Sequence, residues 1–314
     1  MSLDLQQPEV IITHDADLDG LTSGLLLVRL AKKLFDVDVP LQAWGYEGLT
    51  RRPMGEKTAW VCDLNFDKRM DKPGWLIVDH HETPAAPAKA QFIHDTSKSA
   101  GTLCYELCQE HEIASPELDR LMHLNDVADL YREDDRDFVL ATDYAQLVKS
   151  YGFWNFKAVI DDRIEAILDH PLLAIIEAKR KIETPIGRDW SKKKVEAITP
   201  EIGYVPISVG NINAIVHDLL LDEDIPYRVL MTMFKKAKGP VLVSFRSRNG
   251  EALPIAKKLQ GGGHPNACGA TLPSSVRNIG DALGHLKHAL NPKPKSDAPL
   301  NNLESLFDGV DVNG

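Results

Sequence analysis

The stretch Val10-Ile11-Ile12-Thr13-His14-Asp15-Ala16-Asp17-Leu18-Asp19-Gly20-Leu21 sets the reading of the whole chain. Val10 to Thr13 are apolar or β-branched and make a short buried strand. Acid and imidazole groups follow at once. From Leu21 to Phe35 a helix is expected, with Leu25, Leu26, Val28, Leu30 and Leu34 as its buried stripe. Further strands are read at Val37 to Trp44, Ala59-Trp60-Val61-Cys62 and Trp75-Leu76-Ile77-Val78. Strands alternating with helices predict an α/β fold with a doubly wound parallel sheet. Such sheets bind ligands beyond the carboxyl ends of their strands.

Those ends carry the polar motifs. His14 to Asp19 follows the first strand, Asp63 the third, and Asp79-His80-His81 the fourth. Asp126-Val127-Ala128-Asp129 lies further on. Alone, an Asp-x-Asp-Gly is a turn and an Asp after a strand is a helix cap. Several carboxylates and imidazoles converging on one crevice are costly to bury unless a cation binds them. Mixed carboxylate and imidazole donors suit Mn²⁺, with Mg²⁺ or another divalent metal as alternatives. Two ions about 3.5–4 Å apart would activate water against a phosphoester. Adjacent side chains in an extended segment point opposite ways, so one of His80 and His81 is expected at the metals and the other at substrate.

The chain has 314 residues, 43% hydrophobic and 26% charged, the balance of a soluble folded protein. That length favours two domains. No apolar run approaches the roughly 20 residues of a membrane span, and Met1 to Val10 does not resemble a signal segment, so a cytoplasmic location is expected. Cys62, Cys104, Cys108 and Cys268 form no zinc-type spacing and read as small buried side chains. The net charge is −10, which argues against a large basic surface for long nucleic acids. Residues 201–291 nonetheless net +3, with ten Lys/Arg against seven Asp/Glu. An acidic half able to hold cations therefore faces a mildly basic half able to hold an anion.

Residues 99–182 read as mainly helical, with helices at Ser99 to His111, Pro116 to Leu130, Phe153 to Leu168 and Pro171 to Ile182. Residues 183–200, with Pro185, Gly187, three lysines and Pro200, read as a linker. Beyond it, Tyr204 to Val209, Ala214 to Leu221, Tyr227 to Phe234 and Pro240 to Phe245 look like strands. Ala252 to Gln260 and Val276 to Leu290 look like helices. This gives a first domain over 1–182, a smaller α/β domain over 201–291 and a loose tail over 292–314. In the second domain Gly261-Gly262-Gly263 is expected to cradle an anion with backbone N–H groups. His264 would add a donor and Arg246 a bidentate grip, with Arg248 and Asn266 as weaker participants.

The motifs Asp17-Leu18-Asp19-Gly20-Leu21-Thr22-Ser23, Asp63, Asp79-His80-His81 and Val127-Ala128-Asp129 resemble those of the DHH phosphoesterase superfamily. Arg246-Ser247 with Gly261-Gly262-Gly263-His264-Pro265-Asn266-Ala267-Cys268-Gly269 resembles the DHH-associated C-terminal domain. The match spans nearly the whole chain and looks most like the compact nanoRNase and pAp-phosphatase branch. RecJ nucleases share the motifs but usually carry extra domains.

The resemblance implies a two-ion Mn²⁺-type site with Asp17, Asp19, Asp63, His81 and Asp129 as ligands. His80 would line the site as a ligand or beside the attacking water, and both histidines would be catalytic. His14 or Asp15 competes for the first ligand position, and Asp126 with Asp129 for the last. Arg246, Ser247, Gly261, Gly262, Gly263 and His264 would hold substrate across an interdomain cleft. The expected activity is hydrolysis of short nucleotides: oligoribonucleotides of two to five residues, 3′-phosphoadenosine 5′-phosphate or linear dinucleotides. Pyrophosphate or polyphosphate hydrolysis, and nucleotide binding without turnover, are the rival readings. A homodimer is an open expectation, with no large protein partner.

Overall fold

The structure, a computed structural model, describes residues 3–83, 85–235 and 239–291. In the first domain β1 (Val10–His14), α1 (Leu18–Phe35), β2 (Leu41–Trp44) and α2 (Tyr46–Arg51) are followed by β3 (Ala59–Cys62), β4 (Trp75–Asp79) and β5 (Gln91–His94). Five helices complete it: α3 (Ala100–Glu110), α4 (Pro116–Asp129), α5 (Phe138–Tyr151), α6 (Phe153–Val159) and α7 (Leu172–Lys192). The strands form one parallel sheet in the order β2-β1-β3-β4-β5. Between β1 and β3 the strand order reverses direction, the position where open α/β sheets gape at their carboxyl edge. His14 and Asp63 border that gap.

Both faces of the sheet are covered, which is why the strands read as continuous apolar runs. Ile11, Trp60, Leu76 and Val78 pack under α1, α3, α4 and α5. Val10, Ile12, Val61, Trp75 and Ile77 pack on the other face with Leu49 of α2. Alternate residues thus serve opposite layers.

The second domain contains β6 (Glu196–Ala197), β7 (Ile202–Tyr204), α8 (Ile212–Leu220), β8 (Val229–Lys235) and β9 (Val241–Ser247). It ends with α9 (Ala252–Lys258), β10 (Gly262–His264), β11 (Ala267–Thr271) and α10 (Ile279–Leu290). Its six-stranded sheet runs β10-β11-β9-β8-β7-β6 and is antiparallel except for β7 beside β8. The protein is therefore α/β in both parts, with a parallel sheet first and a smaller mixed sheet second.

Several expectations change. The helix expected over Phe153 to Leu168 stops at Val159, with a separate 3-10 turn at Ile164–Ile167, and the strand expected over Tyr204 to Val209 is instead Ile202–Tyr204. Ala214 to Leu221 is not a strand but lies in α8. Its buried residues Ile215, Val216 and Leu219 follow helical spacing, and Asn211 caps the helix by accepting from the Asn213 and Ala214 N–H groups. The segment expected as linker is helical through Lys192, because α7 continues past Pro185. Thr184, Gly187 and Ser191 are buried on the side of α7 that packs against α8, and this tertiary contact outweighs the local proline and glycine penalties. Finally, β5 and α5 add elements between the expected ones. The expected tail, 292–314, lies outside the described residues.

Candidate active site

The end of β1 turns so tightly into α1 that a Cβ on Gly20 would collide with the His14 carbonyl oxygen. The turn fixes three groups. Asp17 caps α1, its carboxylate accepting from the Gly20 N–H at 3.1 Å. His14 Nδ1 lies 3.2 Å from Asp17 Oδ2. Asp19, in the first turn of the helix, is buried and accepts from the N–H groups of Ala100 (2.9 Å) and Gly101 (2.7 Å) at the start of α3, and from Asn125 Nδ2 (2.6 Å).

Asp63, just beyond β3, joins this corner to the rest. Its φ of 54° is a left-handed conformation that Asp tolerates better than most residues. One carboxylate oxygen is 3.5 Å from His14 Nδ1, and the other is 3.5 Å from His80 Nε2. His80 Nε2 is also 3.4 Å from Asp129 Oδ2 and 3.7 Å from Asp19 Oδ2. Two groups of donors therefore meet at one carboxylate: His14, Asp17 and Asp63, and Asp19, His80 and Asp129 with Asp63 between them.

The electrostatics are those of a site built for cations. Burial, then the charge of Asp63, pushes the Asp19 carboxyl up to about 7. Burial, then the charge of Asp19, raises Asp129 as well. Burial opposes a charge on His14, but hydrogen bonds and charge from Asp17 and Asp63 overcome it and carry the imidazole to about 11. His80 goes to about 10, with Asp63, Asp129 and Asp19 outweighing burial. Among the described residues, Asp63 Oδ2, Asp129 Oδ2 and His80 Nδ1 are buried without a hydrogen-bond partner.

Separations of 3.4–3.7 Å around His80 are longer than normal hydrogen bonds. Ligands about 2.1 Å from a shared ion would stand roughly 3.0–3.4 Å apart. The separations around His80 stand at or slightly above that range, so a small inward shift of these donors would let them share a divalent ion. Hard oxygens with two imidazoles match Mn²⁺, and Mg²⁺ or Fe less specifically.

Several sequence alternatives resolve. His14 rather than exposed Asp15 joins the cluster. Asp129 joins it rather than Asp126, whose Oδ1 accepts from the Ser99 N–H and Thr102 hydroxyl while its Oδ2 pairs with Arg132. His80, expected to line the site, is the imidazole among the carboxylates. His81, expected as a ligand, lies beside His80 with ring centroids 4.5 Å apart and within reach of Asp63; its Nδ1 is 2.7 Å from Asp79 and its Nε2 is 3.2 Å from the Tyr46 hydroxyl. Both histidines lie beyond the end of β4, where the chain bends and brings the two rings together.

The second domain faces the cluster through His264, whose ring centroid lies 5.7 Å from that of His80 and 6.0 Å from that of His81. Burial, then the neighbouring His80 and His81, lowers its pKa. The glycine triplet, expected to cradle an anion, runs into a strand pair. Gly262 and Gly263 form β10 with His264, and a Cβ on Gly261 would collide with the Gly269 carbonyl oxygen of β11. The glycines let two strands approach closely and so aim His264. Ser247 is also committed internally: its hydroxyl accepts from the Ala252 N–H and bonds Asn266.

Arg246 is different. Burial lowers its pKa, and its guanidinium donates only to the Phe245 carbonyl and the Asn213 side chain, with no carboxylate partner among the described residues. A cleft of about 720 Å³ runs from Asp129 past Tyr131 to Arg246, Arg248, His264 and Asn266. Tyr46, Asn125 and Tyr131 are site residues the motifs did not disclose. Each acts through tertiary contact, although Asn125 adjoins the Asp126-Val127-Ala128-Asp129 motif.

Family comparison decides the identity. Residues 9–131 match the DHH family N-terminal domain, and residues 204–291 match the DHHA1 domain. The chain belongs to the DHH family. This is a family of metal-dependent phosphoester hydrolases. No curated protein matches the chain significantly in sequence.

Among solved structures, this DHH protein is similar to the pGpG-specific phosphodiesterase PggH from Vibrio cholerae, at 17% identity and a TM-score of 0.52, over 88% of this chain and 98% of that one. It is similar to RecJ from Thermus thermophilus, solved in complex with Mn²⁺, at 16% identity and a TM-score of 0.53, over 92% of this chain and 53% of RecJ. An exopolyphosphatase-related protein from Bacteroides fragilis gives 15% identity and a TM-score of 0.50, over 89% and 92%. At these identities the likeness is one of fold. No helix among the described residues is long and apolar enough to cross a membrane.

Proposed function

We propose that this DHH protein hydrolyses short nucleotide phosphoesters with two Mn²⁺-type ions. The observation that carries the reading is Asp63, one buried carboxylate whose two oxygens face two separate sets of donors. His14 and Asp17 would hold one ion, Asp19, His80 and Asp129 the other, and Asp63 both. Bound there, divalent ions supply an acidified water and neutralise phosphoryl charge.

The protein's own groups do the remainder. The Ala100 and Gly101 N–H groups and Asn125 fix the Asp19 carboxylate before any ion arrives, so its orientation costs nothing on loading. Asp79 holds the His81 ring through Nδ1, leaving Nε2 beside the Tyr46 hydroxyl, where it would hold or pass a proton at a phosphate oxygen. Arg246, a buried cation lacking a carboxylate, would hold a substrate phosphate. The cleft's 720 Å³ lies in the usual range for small-molecule sites and exceeds what pyrophosphate needs, which favours a nucleotide.

The test is product analysis with labelled RNA of two to twenty-four residues, 3′-phosphoadenosine 5′-phosphate, linear dinucleotides and pyrophosphate, each with Mn²⁺ and with chelator. Mn²⁺-dependent cleavage that favours the shortest nucleotides is expected. Turnover of pyrophosphate alone would replace the reading with that of a pyrophosphatase. Binding without turnover of any ester would make the protein a nucleotide binder.

A further inference from the structure

On the other side of Arg246 lies a second cavity, of about 350 Å³, that shares Arg246 and Asn213 with the main cleft. It opens between α5 of the first domain and the sheet of the second, and none of its other lining residues belongs to a family motif. Its floor is apolar, formed by Val216 and Leu230. Above the floor stand the Thr232 and Ser244 hydroxyls and the Asn213 amide nitrogen, each without a hydrogen-bond partner among the described residues. Phe234 stands at the rim, 60% exposed, an aromatic face that nothing in the described residues covers.

Lys149, projecting from α5 into the same lining, has no hydrogen-bond or ion-pair partner among the described residues. The cavity therefore combines an apolar floor, converging free donors, an unpaired aromatic ring and a lining cation. That combination suits a nucleobase joined to a phosphate.

Resting on the phosphoesterase reading above, we propose that this cavity is a second nucleoside subsite. A linear dinucleotide straddles Arg246, with its linking phosphate at the acidic cluster. One nucleoside lies in the main cleft and the other lies between Phe234, Thr232 and Ser244, while Lys149 meets the phosphate as the chain crosses. A mononucleotide occupies one side only, so the two cavities together act as a gauge for two residues.

The test compares wild-type protein with Phe234→Ala and with Ser244→Trp, which fills the cavity from an exposed position. Calorimetric titration of the Ca²⁺-loaded protein uses 5′-phosphorylated linear diadenylate and, separately, AMP. Each variant is expected to bind the dinucleotide about tenfold more weakly, with AMP affinity changed by less than about twofold. In Mn²⁺, the ratio of kcat/KM for the dinucleotide to that for bis(p-nitrophenyl) phosphate should fall by about the same factor. Equal loss for both ligands, or no loss for the dinucleotide, overturns the subsite. If neither ester is hydrolysed by the wild type while the calorimetric difference persists, the subsite stands and the phosphoesterase reading fails. Hydrolysis without the difference leaves the enzyme and removes the subsite.

Discussion

At the scale of single residues, the informative pair is His80 and His81. Both follow Asp79, yet one is sunk among carboxylates and the other is turned to Asp79 and Tyr46. Their substitutions should therefore differ in kind. His80→Gln is expected to lower bound Mn²⁺ and reduce kcat by about 10³-fold or more. His81→Gln should keep the ions and lose about 10²-fold in kcat. Metal analysis beside steady-state kinetics checks both, and equal metal loss in the two variants would refute the assignment. The alternation expected of an extended segment does not apply here, because both histidines lie beyond β4 and their ring centroids are 4.5 Å apart. The sequence does not show which ring goes among the carboxylates, since that depends on the bend beyond β4. Asp126 and Asp129 pose the same problem. They sit one turn apart on α4, and only the packing of α3 reveals that Asp126 is already satisfied.

At the scale of elements, the first domain is legible because period and punctuation agree. Apolar strands end at acids, and the four strands read from sequence all form. The turn from β1 into α1 depends on Gly20, since any side chain there meets the His14 backbone. Gly20→Ala should displace α1 from β1, lower Tm by roughly 3–10 °C and weaken metal binding together. Thermal melts with and without Mn²⁺ measure this, and an unchanged Tm would show that the turn relaxes freely. The second domain is harder to read. Ala214 to Leu221 is a short apolar run that fits strand or helix equally, and the Asn211 cap decides for α8. Pro185 and Gly187 look like breakers, yet α7 runs through them because its packing against α8 outweighs local propensity. The glycine triplet is legible as a close approach but not as strand pairing, which needs β11 beside it.

For the whole molecule, an acidic first domain and a basic second one meet across the cleft, and the uneven charge in the sequence foreshadows this. His217 of α8 reaches Glu133, beyond α4, at 3.0 Å and ties the two parts together. Without ions, the cluster depends on protons to offset its carboxylates. His14 and His80 have folded pKa values, about 11 and about 10, above their ordinary 6.5. Each therefore contributes stability that is full below pH 6.5 and lost as pH rises through those values. Asp19, raised to about 7 by burial and Asp63, disfavours high pH in the same sense. Metal-free protein is thus expected to melt lower at pH 9 than at pH 6. Mn²⁺ should flatten that slope, because neutral imidazoles and charged carboxylates are what an ion requires. Melts in chelator and in Mn²⁺ at both pH values test this, and a metal-free Tm that rises with pH would contradict it.

The central claim is that one carboxylate joins two ion sites, and a Mn²⁺ titration of Asp63→Asn tests it most directly. Asn keeps the shape and tolerates the left-handed backbone at φ 54°, so the fold should persist. Wild-type protein should take up two ions per chain, and the variant should bind both at least about 100-fold more weakly. A variant that still binds two ions with wild-type affinity, or loses only one of them, would contradict the shared bridge.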